Sequence, residues 1–334
     1  MSTPDVPLSI LDLAIVGRDD TVADALQASV AQAQAAEERG YRRVWYAEHH
    51  NMSSIASAAT SVLIAHVAAH TERILLGSGG VMLPNHSPLA IAEQFGTLAS
   101  LHPGRIELGL GRAPGSDEAT TRALRRDPMD AASFPRDVME LQAYLAGEST
   151  VPGVKAVPGA GTHVPLTILG SSLFGAQLAA ELGLPYGFAS HFAPAALQDA
   201  VALYRRTFQP SDQLDRPNVM AGVNVVVAES DDEANAMFDR VKRSRVASFL
   251  GRGRRFTEDE LDQLVGSPQG RQIVGMMRHT AVGTPAAVRT QLDEFARSAD
   301  ADELIVVHNA TSIEDRLRSV HLVADAYQPA AVAR

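Results

Sequence analysis

The chain has 334 residues, 39 acidic against 29 basic for a formal charge of −10, and no cysteine. That length supplies a large core, either as one barrel or as two smaller domains. The acidic balance argues against nucleic-acid or anionic-membrane partners, and the missing thiols exclude disulfides, thiolate nucleophiles and cysteine-ligated metals. Met1 to Pro7 shows no basic stretch leading into an apolar one, and no run approaches the ~20 apolar residues of a membrane span. The expectation is a soluble cytoplasmic protein.

Short apolar runs that predict buried strands alternate with amphipathic helical patterns. The first strand is expected over Ser9–Val16, followed by a helix over Val22–Arg39 that Gly40 stops as a C′ residue. The second strand, Val44–Glu48, ends in Glu48-His49-His50-Asn51. A carboxylate and two imidazoles at a strand mouth are costly to bury without partners, so this stretch is the first candidate site. A helix over Ala56–His70 follows, then a strand over Leu75–Val81 inside Gly77-Ser78-Gly79-Gly80-Val81-Met82-Leu83-Pro84. Glycines there allow a flat ring to approach the backbone, or else form a bulge or turn.

After a helix over Pro88–Leu101, the strand Ile106–Gly111 carries Gly109, Gly111 and Gly115 in the spacing GxGxxxG. A dinucleotide motif needs GxGxxG, and Pro114 interrupts its turn into a helix, so that reading is rejected. Arg112, just past the strand, is a fixed cation suited to a phosphate or a ring carbonyl. A polar segment from Ala113 to Ser133 precedes a helix over Pro135–Ala146. The strand Leu166–Gly170 runs into Ser171-Ser172-Leu173-Phe174-Gly175 and a helix over Leu173–Leu182 that Gly183-Leu184-Pro185 ends. Hydroxyls and unpaired N–H groups at a helix start favour an anion, with phosphate the natural guest and simple capping the alternative. Gly170 and Gly175 bracket these serines.

A strand over Tyr186–Ser190 leads to His191-Phe192, then come a helix over Pro194–Phe208 and a strand over Val219–Ala228. Asp231 to Ala281 is longer than a simple crossover and is either a mobile lid or an incidental excursion. Its basic piece, Arg240 to Arg255, is expected to be a solvated helix face. Thr284-Pro285 opens a helix over Pro285–Ser298, and the last strand, Leu304–His308, ends in a histidine. His191 and His308 either face a pocket or are hydrogen-bonded structural groups, the commoner case for single histidines; His66, His70, His86 and His102 read as ordinary.

Eight strands alternating with helices predict an α/β fold: a (β/α)8 TIM barrel with insertions after strands 4 and 7, ahead of a doubly wound sheet. With no Pro- or Ser-rich linker, a single domain over 1–334 is expected, with 231–281 lid-like. No metal site is expected, because the Glu48–His50 group has no second ligand cluster and His66/His70 lack the HExxH glutamate. No GxSxG nucleophile elbow occurs either. What remains suits a phosphorylated cofactor with a flat ring.

These stretches resemble the bacterial luciferase-like flavin monooxygenases, a (β/α)8-barrel family. The resemblance rests on Trp45–Asn51, Gly77–Asn85, Pro103-Gly104-Arg105 with Leu108–Arg112, and Leu169–Ser172 with Ala179–Pro185, within about Ser9 to Val323. It implies noncovalent FMN at the barrel mouth, reduced by a separate flavin reductase, with O2 oxygenating a small organic substrate such as an aldehyde. His49 matches the catalytic histidine, with His50 beside it and Glu48 near both. A general acid–base role at the flavin follows for His49. Gly79-Gly80 matches a non-prolyl cis peptide beneath the flavin ring. Arg112, Ser171 and Ser172 match phosphate-binding positions, with Gly170 part of the same turn. Gly111 stands where luciferase has a cysteine, and Gly175 where a threonine hydroxyl helps hold phosphate. The resemblance also implies a homodimer. The alternatives are an F420-dependent dehydrogenase on the same barrel and a non-enzymatic flavin-binding protein.

Overall fold

The strands close on themselves. The computed structural model describes residues 6–113, 117–251, 254 and 256–327; Pro114, Gly115 and Arg255, named above, lie outside them. In chain order the strands are β1 (Leu8–Asp12), β2 (Arg43–Tyr46), β3 (Leu75–Met82), β4 (Ile106–Gly111), β5 (Leu166–Gly170), β6 (Tyr186–Phe188), β7 (Val219–Val227), β8 (Thr280–Gly283) and β9 (Glu303–His308). The helices are α1 (Val22–Arg39), α2 (Thr60–Ala68), α3 (Pro88–Leu101), α4 (Glu118–Ala123), α5 (Phe134–Ala146), α6 (Leu173–Glu181), α7 (Leu197–Thr207), α8 (Asp231–Leu250), α9 (Glu258–Gly266), α10 (Pro268–Met276), α11 (Pro285–Ser298) and α12 (Ile313–Tyr327).

All pairings between these strands are parallel; β1 to β7 pair in sequence, and β9 closes the ring against both β7 and β1. This is the (β/α)8 barrel the alternation predicts, and the doubly wound sheet is set aside. The short β8 was not expected. It pairs only with the last residues of β7, Asn224 to Val227, beyond the stretch that holds β6. Four residues at the end of an insertion give too little pattern to predict a strand.

Local chemistry places the helices. Thr21 caps α1 with a capping box, and Gly40 ends it at φ 79°. Thr284 caps α11 ahead of Pro285 at its first position.

Alternation sorts each strand. Ile10, Val44, Leu76, Ile106, Leu108, Leu110, Ile168, Val225 and Val306 join the core shared with the helices. The opposite face fills the barrel. Its centre is Trp45, 2% exposed, in a group with Leu11, Ala47, Met220, Ile305 and Val307. Glycines make room for it: a Cβ on Gly77 would stand 2.9 Å from Trp45 Nε1, and one on Gly187 would stand 2.6 Å from Leu169 Cδ2. The β4 glycines answer to β3 instead: a Cβ on Gly109 would stand 2.3 Å from Ser78 O and one on Gly111 2.7 Å from Met82 Sδ.

Below Trp45, at the N-terminal ends of the strands, lies a buried ionic layer. Arg43 donates to both oxygens of Glu107, at 2.8 and 2.7 Å, and to Glu303 Oε2 at 3.1 Å. Trp45 Nε1 donates to Glu107 at 3.2 Å, and Ser9 donates to Glu303. Arg43 and Glu303 are fully enclosed, so removing the cation strands two acids. Arg43→Met is expected to cost about 3–5 kcal/mol in urea unfolding; an unchanged midpoint would show that the layer contributes nothing.

Candidate active site

The C-terminal ends of β2 and β3 converge on one carboxylate. Glu48, 1% exposed, lies two residues past β2. His50 Nε2 is 2.9 Å from its Oε1, and His86 Nε2 is 2.9 and 3.0 Å from its two oxygens. The Met82 N–H donates to Oε2 at 3.0 Å, and Asn85 Nδ2 donates to Oε1 at 3.2 Å. Burial alone would raise its pKa, but the His86 and His50 hydrogen bonds, the His86 charge and the Met82 N–H together hold it below the usual range. His86, read from sequence as ordinary, is therefore part of the site. Its signal was hidden because it lies 38 residues from its partner.

The insertion after β4 is tied to the same place. Arg126 Nε donates to Asn85 O at 3.1 Å, and Asn51 Nδ2 to the carboxylate of Asp117 at 3.3 Å. Asp117 also caps α4 through Thr120.

His191 follows β6, and the charges of Arg245 and His49 both act on it. Burial, then Arg245, then His49 push the His191 imidazole down to about 3, so it is neutral at pH 7. His191 leans on the inward face of β7, where a Cβ on Gly222 would stand 2.4 Å from its Nδ1. Asn224 Nδ2 holds its carbonyl at 2.6 Å, and Asn309 donates to Asn224. His308 does not reach this pocket. Its Nδ1 is 2.7 Å from Ser319 Oγ of α12 and its ring meets Tyr41, so it is a core histidine.

The glycines of β3 leave no room for side chains. A Cβ on Gly79 would meet Leu11 and Trp45, and one on Gly80 would meet Leu169 and Gly109, so their smallness serves the barrel's own packing. Only the backbone is left to approach a ring. The Gly79–Gly80 peptide is cis, at the point where the register with β4 shifts between Ser78 and Val81. Gly111 opposes Met82, whose sulfur would lie 2.7 Å from a Cβ there.

The serine turn after β5 has the geometry of an anion socket. Ser172 is the N-cap residue of α6 but makes no side-chain capping bond, which sets aside the capping alternative for its exposed hydroxyl. Tyr186 OH donates to the Ser172 carbonyl at 3.0 Å and fixes the turn; a Cβ on Gly175 would stand 3.3 Å from the Tyr186 ring. A Cβ on Gly170 would stand 3.6 Å from Gly175 Cα. The Arg112 guanidinium stacks on Phe174, in the first turn of α6, at 4.1 Å. Arg112, Ser171 and Ser172, separated in sequence, thus share one place.

Among the described residues no cluster of three or more metal-ligating side chains occurs, and no helix is long and apolar enough to cross a membrane.

A luciferase-like monooxygenase family model matches residues 7–302. The chain belongs to that family. A luciferase-like monooxygenase of Escherichia coli K12 is 46% identical over 328 residues, covering 97% of this chain and 98% of the relative. The crystal structure of apo-MsnO8 superposes with a TM-score of 0.85 at 35% identity, covering 96% and 98% of the two chains. Two solved structures of 14% and 15% identity share the fold: the oxygenating constituent of 3,6-diketocamphane monooxygenase, in complex with FMN, at a TM-score of 0.72, and an F420-dependent secondary alcohol dehydrogenase at 0.70. They cover 98% and 97% of this chain, and 100% and 99% of their own.

The Glu48 arrangement sets a pH dependence for this luciferase-like monooxygenase. A carboxylate depressed in the folded state adds stability above its unfolded pKa, near ~4.3, and loses it as pH falls through the folded value. Glu48→Gln should cost about 1–3 kcal/mol at pH 7, with the two proteins converging below about pH 4 in urea unfolding. A gap that persists unchanged in acid would contradict the assignment.

Proposed function

We propose that the protein is an FMN-dependent monooxygenase that uses reduced FMN and O2 to oxygenate a small, aldehyde-like organic substrate, with a separate reductase supplying the reduced cofactor. The observation that carries this reading is the socket formed by Arg112 against the first turn of α6, with the Ser172 hydroxyl left uncommitted. A guanidinium, hydroxyls and helix N–H groups form a donor set that fits a phosphate monoester. When bound, reduced FMN supplies the two electrons by which one atom of O2 enters the substrate and the other leaves as water.

The chain's residues supply the rest. Arg112, Ser171 and Ser172 bind the phosphate with the N–H groups near Gly175. The Gly79-Gly80 backbone, with Gly111 and Gly170 at neighbouring strand ends, borders the ring. Glu48 holds His50 and His86 in fixed orientations. His49 gives or takes a proton at an imidazole nitrogen.

Fluorescence titration of the apoprotein tests the socket. Wild type should bind FMN roughly tenfold or more tightly than riboflavin, and Arg112→Leu or Ser172→Asp should abolish that preference. Equal binding of FMN and riboflavin by wild type would remove the phosphate assignment. F420 binding with FMN excluded would replace the reading with the dehydrogenase alternative.

A second measurement addresses His49. The His49→Ala variant should retain FMN affinity while the flavin-dependent yield of oxygenated product falls about 100-fold or more. Unchanged yield would take His49 out of the chemistry.

A further inference from the structure

The loop that follows β6 is bound to β7 on both sides of His191. Ser190 Oγ donates to Gly222 O at 2.6 Å, and Asn224 Nδ2 donates to His191 O at 2.6 Å. Met220 fills the barrel beside Trp45, so alternation along β7 turns Gly222 and Asn224 inward too, successively nearer the mouth. The imidazole meets Gly222 end-on. A Cβ there would stand 2.4 Å from Nδ1 and 3.3 Å from both Cγ and Cε1, which puts Nε2 on the ring edge turned away from β7.

The two ring nitrogens therefore have opposite surroundings. Nδ1 is sealed from solvent and has no hydrogen-bond partner. Nε2 has no partner among the described residues either, but it is not sealed, and the ring as a whole is only half-buried. A neutral imidazole carries one N–H and one lone pair. An N–H on Nδ1 would be enclosed against Gly222 without an acceptor, the less tolerated arrangement, and an imidazolium would add a buried charge to it. A proton on Nε2 leaves only a lone pair enclosed. Burial, Arg245 and His49 all disfavour the cation as well, which agrees with a pKa pushed down to about 3.

We propose that His191 is a neutral hydrogen-bond donor whose Nε2–H, turned into the barrel mouth, binds the carbonyl oxygen of the organic substrate. The tautomer follows from His191 and β7 alone; the carbonyl partner rests on the reading of the protein as an oxygenase of aldehyde-like molecules. A neutral N–H polarises a carbonyl without presenting a cation that would select an anion instead. Phe192, edge-on to the ring at 5.0 Å, offers apolar surface beside that donor. His191 thus holds its proton, whereas His49 exchanges one.

Two measurements test it. Long-range proton–nitrogen correlation spectra of protein carrying isotope-labelled histidine read the tautomer, with the His191 signals assigned by their loss in His191→Gln. Wild type should show Nε2 protonated and Nδ1 bare, unchanged from about pH 8 to about pH 5. A protonated Nδ1, or an imidazolium within that range, overturns the proposal. Calorimetry of the apoprotein with octanal, decanal and benzaldehyde reads the partner. At least one aldehyde should bind wild type about three- to tenfold more tightly than His191→Leu, while His191→Gln, which keeps an N–H donor, should retain most of the affinity. Circular dichroism and thermal melting verify that both variants fold. A panel in which no aldehyde binds, or binding that His191→Leu leaves unchanged, overturns the proposal. So does a loss of FMN affinity in His191→Leu, which would assign the donor to the cofactor. Failure of wild type to prefer FMN over riboflavin would instead strike the phosphate socket and leave both measurements readable.

Discussion

A closed ring of eight parallel strands has to be filled by its own inward side chains, and in this protein Trp45 does most of the filling. One indole in the middle of the barrel dictates what the other strands place opposite it. Gly77, Gly79 and Gly187 are small because Trp45, Leu11 and Leu169 occupy their side-chain space. Beneath the indole, the Arg43–Glu107–Glu303 layer closes the bottom. Everything reactive is thereby displaced to the C-terminal mouth, where loops rather than packing set the composition.

At that mouth a second constraint takes over. Glu48 is a buried charge, and its cost is met by donors from two successive strand ends, His50 after β2 and the Met82–His86 turn after β3. The β4 insertion then locks onto that turn through Arg126 and Asn85. One carboxylate therefore organises three loops and fixes where the neighbouring His49 stands. The anion socket is organised separately, by Tyr186 on the serine turn and Phe174 under Arg112.

Much of this was legible from the sequence. Eight strands, the capped helices α1 and α11 and the order of the strand-end motifs follow from period and punctuation, and the structure bears out the barrel they imply. The four-residue β8 and the terminal α12 were missed, the first for want of length. The deeper failures concern contacts distant in sequence. A run of glycines shows that space is needed but not what needs it: the side-chain space of Gly79 and Gly80 is taken by Leu11, Trp45 and Leu169. His86 looked like a helix-flanking residue because its carboxylate lies far upstream. Arg240 to Arg255 displays its charges without showing which face each occupies.

The central claim is that the turn after β5 and Arg112 together receive a mononucleotide's terminal anion. A crystal structure of the protein with FMN addresses it most directly. The account predicts phosphate oxygens at hydrogen-bonding distance, about 3 Å, from Ser172 Oγ, the first N–H groups of α6 and the Arg112 guanidinium. A phosphate found elsewhere on the molecule, with that turn untouched, would contradict it.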